Sequence, residues 1–323
     1  MASLVQGMTA NGGTTNSTST LILSCGDRRL DCTPSAGRAH VMGILNVTPD
    51  SFSDGGRYLG QDAALAQAER MLSQGAAIID VGGESSRPKG SAYGQGAEPV
   101  PEEEEKRRVL PVIEAIAQRF PEAIISIDTY KPGVARAALE AGAHMINDIT
   151  GLREFPETAR VAAQASAPLI VMHSLGRPGA MPHEHRYDDV VAAVMRSLQT
   201  SIEVAQEAGV QQLVVDPGFG FGKSVSENLR LVAHTRDFAR LGYPVLVGLS
   251  RKSTIGAVLG GNEPVPVADR LYGTLGATAT AVLQGASLVR THDVRPTVEM
   301  LTLLAATQPI SPLSGQTPFA PGA

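Results

Sequence analysis

Val41-Met42-Gly43-Ile44-Leu45-Asn46 is an apolar run of strand length that ends on an amide side chain and opens directly into Thr48-Pro49-Asp50-Ser51-Phe52-Ser53-Asp54-Gly55-Gly56. A run without polar alternation reads as a strand covered on both faces, as in a parallel sheet flanked by helices. Seven more runs follow, at residues 77–82, 123–128, 144–147, 168–173, 213–216, 244–249 and 287–291. Nearly all end in a side chain that can hydrogen-bond or carry charge: Asp80, Asp128, Asn147, His173, Asp216, Ser250 and Arg290. Parallel α/β folds build their sites at such strand ends, so the recurrence marks a candidate active site.

Helical stretches separate the runs, at 62–74, from 101 onward, and at 132–141, 157–165, 188–209, 226–241, 268–285 and 294–307. The first stops at Gly75, a favoured residue just past a helix end. Pro101-Glu102-Glu103-Glu104-Glu105 puts negative charge on the positive end of a helix dipole, which explains the acidic run without a binding patch. Eight strand-and-helix units between residues 41 and 307 predict an α/β chain folded as a single (β/α)8 TIM barrel. The rival, a doubly wound open sheet, would carry a glycine fingerprint after its first strand and an acidic residue about twenty positions on; neither is present.

Residues 21–32 read as a β-hairpin turning at Gly26-Asp27, a register that pairs Cys25 with Arg28 and leaves the only two cysteines, Cys25 and Cys32, reduced. The hairpin is placed to plug one end of the barrel. Residues 1–19 and the tail from Gln308 lack any period and are expected to be disordered, leaving 20–307 as the barrel domain. Of the 323 residues 43% are hydrophobic, enough for a large core, while the net charge of −5, the 4% aromatics and the absence of Trp argue against a nucleic-acid surface. No apolar stretch is long enough for a membrane span and no secretory signal opens the chain, so a cytoplasmic protein is expected.

Two apparent motifs fail on spacing. Gly218-Phe219-Gly220-Phe221-Gly222-Lys223-Ser224 has one residue too few between its first glycine and the Gly-Lys pair for a phosphate loop. His183-Glu184-His185 is not the helical zinc motif and lies in a Pro/Gly-bounded loop. Three constellations remain. Asp80, Asp128, Asn147 and Asp216, at the ends of the second, third, fourth and sixth runs, offer acceptors to a polar heterocycle, with helix N-capping as the alternative for each. Arg87, Arg251, Lys252, Arg290 and His292 place cations after runs two, seven and eight, where such barrels commonly hold phosphate. Gly-rich segments after the first two runs suit mobile loops over a substrate.

Taken together, Asn46 to Gly56, Gly82-Gly83-Glu84-Ser85-Ser86-Arg87-Pro88, Asp216 to Lys223, Ser250-Arg251-Lys252-Ser253 and Arg290-Thr291-His292-Asp293 resemble the dihydropteroate synthases of the folate pathway. The resemblance runs from about residue 21 to 304. It implies that 4-aminobenzoate displaces pyrophosphate from 6-hydroxymethyl-7,8-dihydropterin diphosphate to give 7,8-dihydropteroate. It assigns Asp80, Asp128, Asn147, Asp216, Lys252 and Arg290 to the pterin, with Ile149, Met172 and Phe221 as apolar contacts. Asn46 with Mg²⁺, Arg87, Arg290 and His292 fall to the diphosphate. Ser86, Arg87, Phe221 and Ser253 fall to 4-aminobenzoate and to the sulfonamides that occupy its place. Asp50 and Asp54, in the first loop, become candidates to steady positive charge at the methylene, beside Arg87, Lys252, Arg290 and His292 as catalytic residues. A homodimer is also implied. The chain departs from the family in having Ser86 where Thr is common and in placing Lys89 between Pro88 and Gly90. Two other readings are a methyltetrahydrofolate:corrinoid methyltransferase-type barrel and a catalytically silent pterin-binding protein. The diphosphate cations argue against the first and the loop acids, Asp50 and Asp54, against the second.

Overall fold

The computed structural model describes residues 20–35, 37–47, 56–84, 99–176, 187–261 and 263–307. Strands β1 (Ile22–Cys25) and β2 (Arg28–Asp31) form the antiparallel hairpin, with Cys25 opposite Arg28 as the turn at Gly26 requires. Eight parallel strands follow: β3 (His40–Asn46), β4 (Ile78–Gly82), β5 (Ile124–Asp128), β6 (Met145–Asp148), β7 (Leu169–Met172), β8 (Leu213–Asp216), β9 (Leu246–Val247) and β10 (Leu288–Thr291). Their order is β8-β7-β6-β5-β4-β3-β10-β9, and a parallel bridge between Val215 and Val245 joins the two edges into a barrel.

Because side chains alternate along a strand, each strand sends one set outward and one inward. The outward set, including Ile79, Val81, Ile125, Ile127, Val171 and Val215, packs in one core with the helices. The inward set begins with Met42, Ile78, Ile124, Met145, Ile170, Val214, Leu246 and Leu288, one residue per strand, in a second core with Leu23, Cys25, Leu30 and Cys32 of the hairpin. The hairpin therefore does plug the N-terminal end, and Cys25 and Cys32 are buried free thiols in that plug. Arg28 Nη1 donates to His144 Nε2 at 2.8 Å and Ser24 N to Gln212 Oε1 at 2.6 Å, tying the hairpin to the barrel floor. With one end sealed by apolar side chains, only the other is left for polar chemistry.

The helices are α1 (Gly56–Ser73), α2 (Glu102–Arg119), α3 (Pro132–Glu140), α4 (Glu157–Gln164), α5 (Val190–Glu207), α6 (Val225–Ala233), α7 (Thr235–Ala239), α8 (Ser253–Gly260), α9 (Leu271–Leu283) and α10 (Val294–Ala306). Four details correct the sequence reading. The helix expected at 226–241 breaks at His234 into α6 and α7. An extra helix, α8, follows β9, where periodicity showed none because its eight residues are nearly all apolar or small. The helix expected at 268–285 begins as a 3-10 turn at Val267–Arg270 before α9. The seventh run, expected at 244–249, pairs as a strand only over Leu246–Val247.

Candidate active site

The second inward layer is polar. Asp80 on β4, Ser126 and Asp128 on β5, Asn147 on β6, Asp216 on β8 and Arg290 on β10 share the inward parity of the sealed floor, one step above it for all but Asp128, which stands two steps above. None of the four acidic or amide residues caps a helix: Pro101, Lys131, Pro156 and Ser224 stand at the N-caps of α2, α3, α4 and α6. The capping alternative is thereby removed.

Arg290 is the hub. Its Nε donates to Asp80 Oδ2 and its Nη2 to Asp128 Oδ2, both at 2.6 Å, and Asn147 Nδ2 donates to Asp80 Oδ2 at 3.2 Å. Burial by itself would lower the guanidinium's proton affinity, but Asp80 and Asp128 outweigh it and hold Arg290 firmly charged. Burial pushes the Asp128 carboxyl up to about 7, against the pull of Arg290 and with a further push from Asp80. Asp80 is not at a strand end but in mid-β4, 0% exposed, beneath Arg290. Its other oxygen and the hydroxyl of Ser126, its register neighbour, have no protein partner.

Asp216 ends β8 and is buried, its carboxyl raised first by desolvation and lowered in part by Lys252. Its Oδ1 accepts from Gly218 N at 2.7 Å, which starts the loop to α6. That loop is folded around a buried lysine. Lys223 Nζ donates to the carbonyls of Gly218 (2.7 Å), Phe221 (3.0 Å) and His173 (3.4 Å), and desolvation holds the amine well below its usual range. The glycines are required: Gly218 has φ +70, and a Cβ there would lie 1.7 Å from the His173 carbonyl oxygen. Ser224 completes the segment as N-cap of α6, in a capping box with Glu227. The near-match to a phosphate loop is thus a carbonyl-lined turn with its lysine turned inward.

Lys252 reaches back over this loop. Its Nζ donates to the Phe219 carbonyl and lies 4.3 Å from the Phe221 ring centroid. Burial lowers the amine to about 7, with Asp216 opposing and Arg290 assisting. The segment after β9 is held by Arg270, buried among α8 and α9, whose Nη1 donates to the Arg251 carbonyl (2.9 Å) and whose Nε donates to that of Val265 (3.0 Å). Arg251 itself has φ +59 and pairs with Asp293. Ser250 Oγ lies 3.0 Å from His292 Nδ1, joining the ends of β9 and β10. Ser253 opens α8.

Asn46 lies exposed at the end of β3, while Ile149 and Met172 are buried near the ends of β6 and β7. His173 faces outward, edge-on to Tyr187 at 6.0 Å between ring centroids. Asp50, Asp54, Ser86, Arg87 and Lys89 lie outside the described residues, as does His183-Glu184-His185. Sequence reasoning missed Ser126, although it sits two residues before Asp128 and the strand period alone would have found it. It also missed the inward Lys223, the loop-holding Arg270 and the carboxylate of Glu84 at the end of β4. Among the described residues no group of three or more His, Cys, Asp or Glu side chains is arranged to hold a metal ion. No helix among them is long and apolar enough to cross a membrane.

Acceptors on one side of the mouth, with a fixed guanidinium and a buried amine beside them, suit a flat heterocycle rich in N–H groups and joined to an anion. Comparison with known proteins agrees. The pterin binding enzyme family matches residues 42–292. The dihydropteroate synthase of Escherichia coli is 48% identical over 270 residues, covering 83% of this chain and 91% of that protein. The solved structure of Xanthomonas albilineans dihydropteroate synthase with 4-aminobenzoic acid superposes with a TM-score of 0.80 at 44% identity, covering 91% of this chain and all of that one. The structure of the same enzyme in complex with 7,8-dihydropteroate gives a TM-score of 0.76 at 42% identity, covering 90% of this chain and 100% of that one.

Proposed function

Since the chain belongs to the pterin-binding enzymes, and among them to the dihydropteroate synthases, we propose that the polar mouth of its barrel performs that family's condensation. The protein is a transferase that joins 6-hydroxymethyl-7,8-dihydropterin diphosphate to 4-aminobenzoate, giving 7,8-dihydropteroate and pyrophosphate. The observation that carries the reading is the convergence of Asp128, Asn147 and Asp216 with Arg290 and Lys252 in the one end of the barrel that the hairpin does not seal.

Asp128, Asn147 and Asp216 offer fixed acceptors to the ring edge. Their immobility matters, because a buried, pre-oriented set spends little entropy in holding a near-attack geometry. Arg290 is pinned edgewise by Asp80 and Asp128, which leaves its flat face for stacking on the pterin. Phe221, Met172 and Ile149 supply the apolar side. Lys252, poised at about 7, gains proton affinity as negative charge arrives beside it. Arg87, Arg290 and His292 face the charge that grows on the leaving diphosphate, where electrostatic stabilisation lowers the barrier. Asp50 and Asp54 offset positive charge at the methylene, and Ser86, Arg87 and Ser253 receive 4-aminobenzoate.

The family's Mg²⁺ fits this donor set in one way. Asn46 presents a neutral, solvent-facing oxygen at the end of β3, which suits an ion that keeps most of its waters and is otherwise held by substrate phosphates. When bound, the ion would neutralise charge on the diphosphate. The assembly is read as a homodimer, supported by the apolar side chains that α8 and α9 leave uncovered: Val258, Leu259, Leu283 and Tyr272, the last 83% exposed. Residues 20–307 are taken as the barrel domain, and the unbridged Cys25 and Cys32 suit a cytoplasmic enzyme.

The test combines purified protein, Mg²⁺, dihydropterin diphosphate and 4-aminobenzoate and follows pyrophosphate. Release that depends on all components is expected. Tight pterin binding without turnover would replace the synthase reading with that of a silent binding protein.

A further inference from the structure

Asn228 on α6 is 1% exposed and joins the loop after β8 to the start of α8. Its Oδ1 accepts from Gly220 N at 2.7 Å, and its Nδ2 donates to the Lys223 carbonyl at 3.2 Å and to Thr254 Oγ1 at 2.9 Å. A backbone N–H can only donate and a backbone carbonyl only accept, so these contacts fix which way round the amide stands. Both of its N–H groups are thereby used. The bond to Thr254 leaves the loop: that residue is the second of α8 and is 3% exposed.

The Gly220 bond matters because of what lies across the same peptide group. The N–H of Gly220 and the carbonyl of Phe219 belong to one planar trans unit, in which they point in opposite directions. Holding the N–H on Asn228 therefore aims the carbonyl away from Asn228, and that carbonyl accepts from Lys252 Nζ. Amide, peptide and ammonium form one chain of hydrogen bonds, each polarising the next. Gly220 permits the approach: its φ is +82, and a Cβ there would lie 2.7 Å from Lys252 Cδ. Lys252 is in turn the N-cap of α8, two residues before Thr254. The contacts close a ring that runs from Asn228 through the Phe219–Gly220 peptide to Lys252, along the backbone to Thr254, and back to Asn228. One side chain thus holds both the acceptor for the amine and the helix end from which the amine extends.

We propose that Asn228 is a positioning residue for Lys252: it fixes the amine at the edge of the pterin site. This rests on the synthase reading above, and one arm of its test does not need that reading to hold.

The first arm is a double-mutant cycle on the Kd of dihydropterin diphosphate, by calorimetry with Mg²⁺, using Asn228→Ala and Lys252→Met singly and together. Asn228→Ala should weaken binding on the order of tenfold in the parent but by less than about twofold in Lys252→Met, because a residue that acts through Lys252 then has nothing left to act on. Thr254→Val, which removes only the hydroxyl, should shift the Kd in the same direction by less, and Thr254→Ser should bind like the parent. The proposal is overturned if Asn228→Ala keeps the parental Kd, if it weakens binding by the same factor in both backgrounds, or if Thr254→Ser matches Thr254→Val. Should Asn228→Ala not fold, Thr254→Val takes its place under the same criteria.

The second arm needs no substrate. The unliganded protein is acetylated with acetic anhydride at pH 7, and the rate at Lys252 is read by mass spectrometry. An amine that loses its carbonyl acceptor is less readily protonated and less covered, so Asn228→Ala, or Thr254→Val if the former does not fold, should label Lys252 several-fold faster than the parent, with Thr254→Ser unchanged. An unaltered rate overturns the role. If the parent neither binds the pterin nor turns over, the synthase reading fails and the labelling decides the role of Asn228 by itself; it decides likewise if Lys252→Met binds too weakly to complete the cycle.

Discussion

Replacing Arg290 by Met tests whether the guanidinium is a structural keystone as well as a ligand. In the parent it answers two carboxylates through bonds of 2.6 Å, one of them to Asp80, which is 0% exposed. Removing one partner of a buried pair costs about 3–5 kcal/mol, because the remaining charge keeps its desolvation penalty. In a domain of this size each kcal/mol moves the midpoint by about 2–4 °C, so the melt should fall by roughly 6–20 °C. Asp80→Asn in the same chain removes the better-buried of the orphaned charges and should recover about half of that loss, while activity should stay absent because the cation proposed to stack on the pterin and meet the diphosphate is still missing. The pH dependence follows from the carboxyl that remains. Asp128 already has a folded pKa of about 7 against 3.8 unfolded. A carboxyl held above its unfolded value binds its proton more tightly in the folded state, so the stability it confers is present below about 4 and declines as pH rises toward 7. Loss of Arg290 raises Asp128 further, so Arg290→Met should be more damaging at pH 8 than at pH 5.5. Urea melts of the single and double variants at both pH values measure this. A loss below about 1 kcal/mol, or no recovery with Asp80→Asn, would show that Arg290 answers no buried charge.

Lys252 titrates in the opposite sense. Its folded pKa of about 7 lies below 10.5, so the folded state disfavours the charged amine and its contribution to stability improves as pH rises from about 7 toward 10.5; urea melts of Lys252→Met should lack that part of the slope. Gly218→Ala puts a Cβ 1.7 Å from the His173 carbonyl oxygen in a residue at φ +70, so the loop around Lys223 must open; a lower melting temperature and loss of pterin binding by calorimetry are expected, and a parental melt would contradict the loop's tightness. Asp216→Ala should abolish pterin binding, whereas Arg87→Ala should mainly slow pyrophosphate release and raise the KM for 4-aminobenzoate; full turnover in Asp216→Ala would remove that residue from the site.

Much of the site was legible because a parallel strand ends where its chemistry begins. Asp128 and Asp216 close β5 and β8, and their position after an apolar run is a local pattern any sequence displays. Asp80 shows the limit. The apolar run marks it as a strand end, yet β4 continues to Gly82, so the carboxylate lies one layer deeper and meets Arg290, 210 residues away in the chain. The spacing of Gly218 to Ser224 excludes a phosphate loop, but spacing does not say that Lys223 turns inward onto three carbonyls. The short β9 and the added α8 escaped because an apolar run of six residues and an apolar run of eight carry no distinguishing period.

The sequence by itself determined the eight-fold alternation, the sealing hairpin and the residue types at the strand ends, because each depends on patterns within about ten neighbouring residues. Only the tertiary structure decided which charges meet. Barrel closure and strand register bring Asp80, Asp128 and Arg290 from three strands into contact, and helix packing sinks Glu105 beside Lys131. Burial then changes what those groups are: a carboxyl at about 7 and an amine at about 7 are properties of a low-dielectric site assembled from distant segments, and no stretch of chain contains them.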